Sequence, residues 1–219
     1  MRSERALLLA SGNRHKHEEF SAFFRTLPAF RESGYRLLST ADFPGGPDVE
    51  ETGATYEENA HIKACVWAAY AGMPTIADDS GIEVRALDWE PGIRSARAAP
   101  GGDADRVRWL LERMHGVADR RACFVACIVV APPSCGQEAG GCFAAEGRCW
   151  GSLAPAPSGG HGFGYDPVFV PDGYGGTFGE LDPQVKSRIS HRAIAMRGMA
   201  HMVPSVIKYQ SMSGLMGDM

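Results

Sequence analysis

Residues 6–27 read ALLLASGNRHKHEEFSAFFRTL, and this stretch decides the fold class. Its first five residues form a short apolar run typical of a buried strand, and the Ser-Gly-Asn that follows indicates a tight turn. Four apolar residues then recur with the spacing of one helix face, namely Phe20, Phe23, Phe24 and Leu27. Pro28 ends this pattern. A strand, a turn and a helix in this order predict an α/β protein.

Capping residues mark further helices along the chain. Thr55, followed three residues later by Glu58, is a capping-box signature and predicts the start of an Ala-rich helix. Apolar residues at helical spacing predict another helix around residues 107–114. Asp182 and Ser190 are expected to begin the last two helices.

Strands are expected between these helices. Residues 74–77 and 81–84 predict two short strands, or one bent strand, interrupted by the acidic pair Asp78 and Asp79. This prediction puts the pair at a strand end or a bulge. Three further strands are expected at residues 121–130, 143–150 and 168–170. Together the elements predict an α/β fold with a mixed central sheet and flanking helices.

Composition and charge exclude several classes of function. The chain has 22 Lys and Arg against 26 Asp and Glu, a net charge of −4, so it lacks the basic excess typical of nucleic-acid binding. The longest apolar run, residues 122–131, is far shorter than the roughly 20 residues that cross a bilayer. The N-terminal apolar run is also too short for a signal peptide. We therefore expect a cytoplasmic protein with no nucleic-acid or membrane partner, formed by a single domain over residues 1–203 and a tail of unknown structure at residues 204–219.

Six cysteines are present. A chain of this length does not need disulfides for stability, so reduced thiols are expected. Cys135, Cys142 and Cys149 raise the question of a zinc site. Because the sequence shows no second close pair of ligands beside them, it favours incidental cysteines.

Two segments carry residues suited to phosphate and metal chemistry. Residues 11–16 join a strand to a helix N-terminus, where backbone N–H groups and Lys16 can hold phosphate oxygens. A simple turn and helix cap explains the same residues. Asp78 and Asp79 follow an apolar strand, and because successive side chains diverge, one can face a cleft while the other fixes a turn. A solvated turn is the alternative.

Two other segments suit a base and a sugar. Residues 163–167 set two aromatic rings among glycines, an arrangement that lets a ring stack on a planar ligand. Ser190, His191 and Arg192 offer hydrogen-bond donors at a helix start. Taken singly, the two aromatic residues are equally consistent with a hydrophobic core. The three donor residues are equally consistent with an exposed surface.

Taken together and in order, these motifs resemble those of the inosine triphosphate pyrophosphatase family, the Ham1-like non-canonical purine NTP pyrophosphatases. The resemblance runs from about residue 7 to residue 199. The motifs that carry it are Ser11-Gly12-Asn13-x-x-Lys16, Glu51-Thr52-Gly53, Glu58-Asn59-Ala60-x-x-Lys63-Ala64, Ile76-Ala77-Asp78-Asp79-Ser80-Gly81, Pro91-Gly92-Ile93-x-Ser95-Ala96-Arg97, Gly162-Phe163-Gly164-Tyr165-Asp166-Pro167 and Lys186-x-x-Ile189-Ser190-His191-Arg192.

The resemblance implies two lobes that enclose a nucleotide cleft, a homodimer, and hydrolysis of ITP, dITP or XTP to the monophosphate and pyrophosphate. It implies that Asp79 is the catalytic carboxylate, that Glu51 and Asp79 hold Mg²⁺, and that Asp78 supports them. The residues implied for the phosphates are Ser11, Asn13, Lys16 and Lys186, with Ser80 nearby. Gly12, Arg14 and His15 are implied as further substrate-binding residues. Those implied for the base and sugar are Phe163, Gly164, Tyr165, Asp166, His191 and Arg192.

Two other functions remain open at this stage. One is a related pyrophosphatase for modified pyrimidine triphosphates, against which the Ser190-His191-Arg192 match argues. The other is a nucleotide sensor without turnover, against which the acidic residues argue, because a sensor has less need of a carboxylate that activates water.

Overall fold

Six strands form one sheet in the computed structural model, which describes residues 6–135 and 141–200. The strands are β1 (Ala6–Leu9), β2 (Arg36–Ser39), β3 (Thr75–Val84), β4 (Arg121–Ala131), β5 (Phe143–Leu153) and β6 (Phe169–Pro171). Their order in the sheet is β2-β1-β3-β4-β5-β6. Because β1 pairs parallel with β2 and β3 while β5 pairs antiparallel with β6, the sheet is mixed, as predicted.

Six α-helices accompany the sheet within the described residues. They are α1 (Arg14–Thr26), α2 (Pro28–Ser33), α3 (Tyr56–Ala71), α4 (Asp103–Arg113), α5 (Pro183–Ile189) and α6 (His191–Met199). The expected α/β class with flanking helices is therefore confirmed. None of the described helices has the length and apolar composition needed to cross a bilayer.

The predicted helix starts are confirmed by their capping bonds. The Thr55 hydroxyl accepts the backbone N–H of Glu58 at 3.1 Å, and the Glu58 carboxylate accepts the N–H of Ala54 at 2.6 Å. The Asp182 carboxylate caps α5, and the Ser190 hydroxyl accepts an N–H from the first turn of α6. These bonds satisfy backbone donors that the first turn of a helix leaves unpaired.

Strand β3 corrects one prediction. The backbone continues as a single strand from Thr75 to Val84, so the acidic pair lies inside the strand and not at its end. Pairing with neighbouring strands outweighs the weak strand preference of aspartate. As a result, Asp78 and Asp79 are held on an extended backbone and are both buried.

The described chain divides into two compact units. Unit 1 comprises residues 6–79, 127–135, 141–145 and 195–200, and unit 2 comprises residues 80–126 and 146–194. In unit 1, β1 is buried and a row of aromatic rings packs nearby: Phe20, Phe24, Phe30 and Tyr35. In unit 2, Phe124, Phe169 and Phe178 stack within a separate apolar cluster. The predicted tail, residues 204–219, lies outside the described residues.

The cysteines correct part of a second prediction, since four of the six are free, as expected: Cys123, Cys127, Cys142 and Cys149. Cys65 of α3 and Cys135 form a disulfide, although reduced thiols were expected. The fold brings their Cα atoms to 5.3 Å across a sequence separation of 70 residues, a spacing that a disulfide readily bridges. Cys149 is buried in β5, within the apolar cluster of unit 2.

Candidate functional site

Three carboxylates and two lysines of unit 1 form a group that we call the acidic site. Its members are Lys16, Glu51, Lys63, Asp78 and Asp79. They come from the start of α1, the loop before α3, the middle of α3 and the interior of β3. Because β1 lies beside β3 in the sheet, the helix start that follows β1 is brought near the acidic pair.

Lys63 connects this site. Its Nζ lies 2.6 Å from Glu51 Oε1, 3.2 Å from Asp79 Oδ1 and 3.1 Å from the backbone oxygen of Asp78. Burial lowers the pKa of Lys63, but the charges of Asp79 and Glu51 outweigh it and leave that pKa raised. Lys63 is therefore a permanent cation that holds two carboxylates from different segments together.

Asp79 is held at both oxygens of its carboxylate. Its Oδ2 accepts a hydrogen bond from Asn59 Nδ2 at 3.2 Å, while its Oδ1 faces Lys63. Burial raises the pKa of Asp79, with a further contribution from the charge of Glu51, and the two lysines oppose the rise. The carboxylate is thus oriented at both oxygens, and its raised pKa makes it more basic than an exposed aspartate.

Asp78 points to a different partner. Its carboxylate is fully buried and lies 2.7 Å from Lys16 Nζ. Successive residues of a strand direct their side chains to opposite sides, so neighbouring acids engage different lysines. This agrees with the sequence prediction that Asp78 and Asp79 diverge.

Asn59 also shapes the loop that carries Glu51. Its Oδ1 accepts the backbone N–H of Gly53 at 2.8 Å. A Cβ at position 53 would overlap Glu58 and Asn59, so the close approach requires glycine. The Glu-Thr-Gly motif therefore has a structural reason for its last residue.

The turn at residues 11–16 combines a helix cap with the predicted phosphate residues. Asn13 Oδ1 accepts the backbone N–H groups of His15 and Lys16 at 2.9 and 3.2 Å, and Ser11 Oγ accepts that of Asn13. Gly12, Asn13, Arg14 and His15 are exposed. The Arg14 guanidinium pairs with Glu18 on the outer surface of α1. The structure therefore confirms the cap, and the role in phosphate binding stays a prediction.

The donor set of the acidic site fits a hard divalent cation. Glu51 and Asp79 supply carboxylate oxygens, the ligands that Mg²⁺ prefers. Both already share one cation, the Lys63 ammonium, which shows that their oxygens converge on a common point. The predicted pair of metal ligands is thus brought together by the fold.

In unit 2, the loop at residues 162–166, which we call the aromatic loop, is organised by Asp166. Its Oδ2 accepts the backbone N–H of Phe163 at 2.8 Å and a hydrogen bond from Lys186 Nζ at 2.6 Å. Gly162 has φ +77°, and a Cβ there would overlap the Asp166 carboxylate. The buried Asp166–Lys186 pair therefore fixes the backbone that presents Phe163.

Two cations approach the Phe163 ring. Lys186 Nζ is 4.5 Å from the ring centroid, and Arg192 Cζ is 5.6 Å from it. Arg192 is only 2% exposed and donates to Ser80 Oγ at 2.9 Å. These contacts orient both the ring and the guanidinium.

His191 and Tyr165 are buried. The His191 ring stacks on Phe124 with centroids 4.7 Å apart. Tyr165 donates its hydroxyl to the backbone oxygen of Ser95 at 2.9 Å, and burial raises its pKa to about 12. Of the two rings predicted to stack on a base, Phe163 is the partly exposed one and Tyr165 belongs to the core of unit 2.

Sequence reasoning left three residues without a role. Asn59 and Lys63 belong to a quoted motif, and their spacing of four residues puts both on one face of α3, which is the signal that could have found them. Ser95 also belongs to a quoted motif. The Ser95 hydroxyl accepts a hydrogen bond from the backbone N–H of Ile82, and the Ser95 backbone oxygen accepts one from the Tyr165 hydroxyl.

Comparisons with known proteins identify the family of this chain. A sequence model of the Ham1 family matches residues 7–202. A dITP/XTP pyrophosphatase of Symbiobacterium thermophilum is 43% identical over 208 residues, covering 94% of this chain and 98% of that protein. The dITP/XTP pyrophosphatase of Mycobacteroides abscessus is 41% identical over 206 residues, covering 92% and 96%. A solved structure of a HAM1 protein from Coxiella burnetii has a TM-score of 0.79 at 34% identity and covers 92% of this chain and 99% of its own.

The family match spans most of the chain, and relatives above 40% identity align over nearly their whole length. We conclude that this chain belongs to the Ham1 family.

Proposed function

We propose that this protein hydrolyses non-canonical purine nucleoside triphosphates, namely ITP, dITP and XTP, to the monophosphate and pyrophosphate. The observation that carries the proposal is Lys63, whose ammonium joins Glu51 and Asp79 into one oriented pair of carboxylates. Membership of a family whose relatives include dITP/XTP pyrophosphatases supports the choice of substrate.

Asp79 is proposed to orient the attacking water and to take its proton. Water attacks the α-phosphorus, the bond from that phosphorus to the bridging oxygen breaks, and pyrophosphate leaves. A base must be ionised and held in place. Lys63 and Asn59 provide both conditions, and the pKa of Asp79, raised by burial, makes it a stronger proton acceptor.

Mg²⁺ is proposed as the cofactor, held by Glu51 and Asp79. When bound, it would offset the charge of the triphosphate and lower the pKa of water. Asp78 is proposed to support the site by keeping Lys16 in place through their 2.7 Å contact. Lys16 and the turn at residues 11–15 are proposed to contact the phosphates.

Lys186, with Ser80 nearby, is also proposed to contact the phosphates. The aromatic loop, with His191 and Arg192, is proposed to bind the base and the sugar. Phe163 would stack on the base, but every base offers a face to stack on. Selectivity therefore rests on hydrogen bonds to the base edge. Arg192 is always a donor, so it suits the oxygen at position 6 of hypoxanthine and xanthine, whereas the 6-amino group of adenine would meet a donor with a donor. Such a mismatch can give roughly 10⁴-fold discrimination in kcat/KM between ITP and ATP.

The remaining parts of the proposal concern assembly and location. We propose a homodimer that acts in the cytoplasm, on the nucleotide pool. Sedimentation analysis of the purified chain tests the dimer, which a single monomeric boundary would exclude.

Pyrophosphate release tests the function. Purified protein is assayed with ITP, dITP, XTP, ATP and dUTP, in Mg²⁺ and in excess EDTA. We expect Mg²⁺-dependent turnover of the first three and little of ATP or dUTP. Binding of ITP without turnover would point to a sensor, and preference for dUTP to a pyrimidine enzyme. Full turnover in EDTA would refute the metal requirement.

A further inference from the structure

Unit 1 carries a second group of metal-ligating side chains, none of which belongs to the acidic site. It comprises His61, Cys65, Cys135 and Cys142, which we call the cysteine cluster. The four ligand atoms, one from each of these residues, all lie within 4.8 Å of one another. The proposed catalysis uses none of these four residues.

The distances within the cluster suit one tetrahedral ion. Cys65 Sγ lies 3.8 Å from Cys142 Sγ and 3.7 Å from His61 Nε2, and Cys135 Sγ lies 3.0 Å from Cys142 Sγ. Thiolates bound to zinc at about 2.3 Å lie roughly 3.8 Å from one another in tetrahedral geometry. The Cys65–Cys135 pair, joined as a disulfide, and the Cys135–Cys142 pair, 3.0 Å apart, must both separate to reach that spacing.

Secondary structure supplies the ligands in two pairs. His61 and Cys65 are four residues apart on α3 and share one helix face. Cys135 and Cys142 lie toward the two ends of the connection between β4 and β5. The second ligand pair that the sequence lacked beside Cys135 and Cys142 is therefore provided by α3, and Cys149 has no part in the cluster.

We propose that the reduced protein binds one Zn²⁺ through the thiolates of Cys65, Cys135 and Cys142 and the imidazole of His61. A phosphine first supplies two electrons to the Cys65–Cys135 disulfide and becomes a phosphine oxide, while water supplies the oxide's oxygen and the two protons, so that the disulfide becomes two thiols. Zinc then replaces the protons of the three thiols, which are released to solvent. Three sulfurs and one nitrogen fill the four positions of the ion, so the site is structural and not catalytic.

The bound ion would fasten α3 to the β4–β5 connection. The opposite face of the same helix carries Asn59 and Lys63, which hold Asp79. Zinc would therefore stabilise the helix on which the acidic site depends. The three cysteines of the cysteine cluster are half-buried and His61 is exposed, so an ion can reach the cluster from solvent.

The test is the zinc content of the full chain. Protein reduced with a phosphine under nitrogen is loaded with zinc sulfate in excess Mg²⁺, desalted and analysed by mass spectrometry. We expect one zinc per chain. Replacement of zinc by Co²⁺ should give thiolate-to-metal charge-transfer absorption, and its intensity should fall by about a third in C142S because one of three thiolates is lost.

Matched variants identify the ligands. H61A and C142S should bind zinc at least about a hundredfold more weakly, a greater loss than removal of an outer partner causes. H115A, which changes an exposed histidine of unit 2, and C149A should bind it normally. Circular dichroism checks that each variant folds, and because His61 is exposed, H61A gives a result even if C142S does not fold.

Three results would overturn the proposal. In the first, the reduced wild-type chain takes up no zinc. In the second, H61A and C142S bind zinc with the affinity of wild type. In the third, E51Q loses its zinc but H61A does not. The last result would place the ion at the acidic site. None of these outcomes depends on pyrophosphatase activity, so the proposal can fail while the proposed function holds.

Discussion

Lys63→Met should destabilise the protein, because it removes the cation shared by two carboxylates at nearly constant side-chain volume. The Lys63 ammonium contacts three oxygens at 2.6 to 3.2 Å, and its side chain is 13% exposed. Removing one partner of a buried ion pair costs about 3–5 kcal/mol. Because a quarter of the Glu51 side chain is exposed, we take the lower end, about 3 kcal/mol.

This loss should be visible in thermal unfolding followed by circular dichroism. For a chain of this size, 1 kcal/mol lowers Tm by about 2–4 °C, so K63M should melt about 6–12 °C below wild type in EDTA. Mg²⁺ should restore more of the Tm in K63M than in wild type, because the ion would take over the missing positive charge. R14M, which breaks the exposed pair with Glu18, should cost less than about 0.5 kcal/mol.

The pH dependence of this effect has a defined sign. The pKa of Asp79 in the folded protein is raised above its ordinary value of 3.8, so deprotonation favours the unfolded state and this residue's contribution to stability falls as pH rises between the two values. Loss of Lys63 raises that pKa further. The Tm difference between K63M and wild type should therefore shrink as pH falls toward 3.8. A K63M protein that melts within about 2 °C of wild type in EDTA at neutral pH would refute the reasoning.

Three further substitutions test the proposed roles. D79N should lower kcat by at least about a hundredfold while ITP still binds, because a general base contributes roughly 10²–10⁴-fold to the rate. A near-normal kcat would exclude Asp79 as the general base. E50Q, which changes an exposed glutamate, serves as the control. K16A should raise the Kd for ITP more than that for IMP in calorimetry, since the lysine is proposed to meet the phosphates, and equal losses would contradict this. R192A should narrow the ITP-to-ATP ratio of kcat/KM, whereas R188A, on the exposed side of α5, should not; an unchanged ratio in R192A would place base reading elsewhere.

Local signals in the sequence predicted much of the fold. The helix starts at Thr55, Asp182 and Ser190 are decided by side chains within a few residues of the backbone groups they bind, so a sequence can reveal them. The short elements β2 and α2 were missed. Each has only four to six residues, which is too few for periodicity to show.

Contacts between distant segments account for the other differences. β3 is continuous because it is paired in a sheet, and no residue between 75 and 84 reports that pairing. The disulfide joins cysteines 70 residues apart, so their proximity was not visible either. The family motifs assigned the acidic residues to one site, and the structure places them close together. The contacts that hold them, from Lys63 to Glu51 and from Asn59 to Asp79, were seen only in the structure.

The charge balance of the acidic site gives a physical reason to expect a metal requirement. Its three carboxylates face two ammonium groups, so the site carries one excess negative charge. A nucleoside triphosphate is strongly negative, and the bare site would repel it. A divalent cation reverses the sign and leaves one excess positive charge, which attracts the triphosphate. The two lysines are thus enough to hold the carboxylates in place, but too few to bind the substrate without the ion.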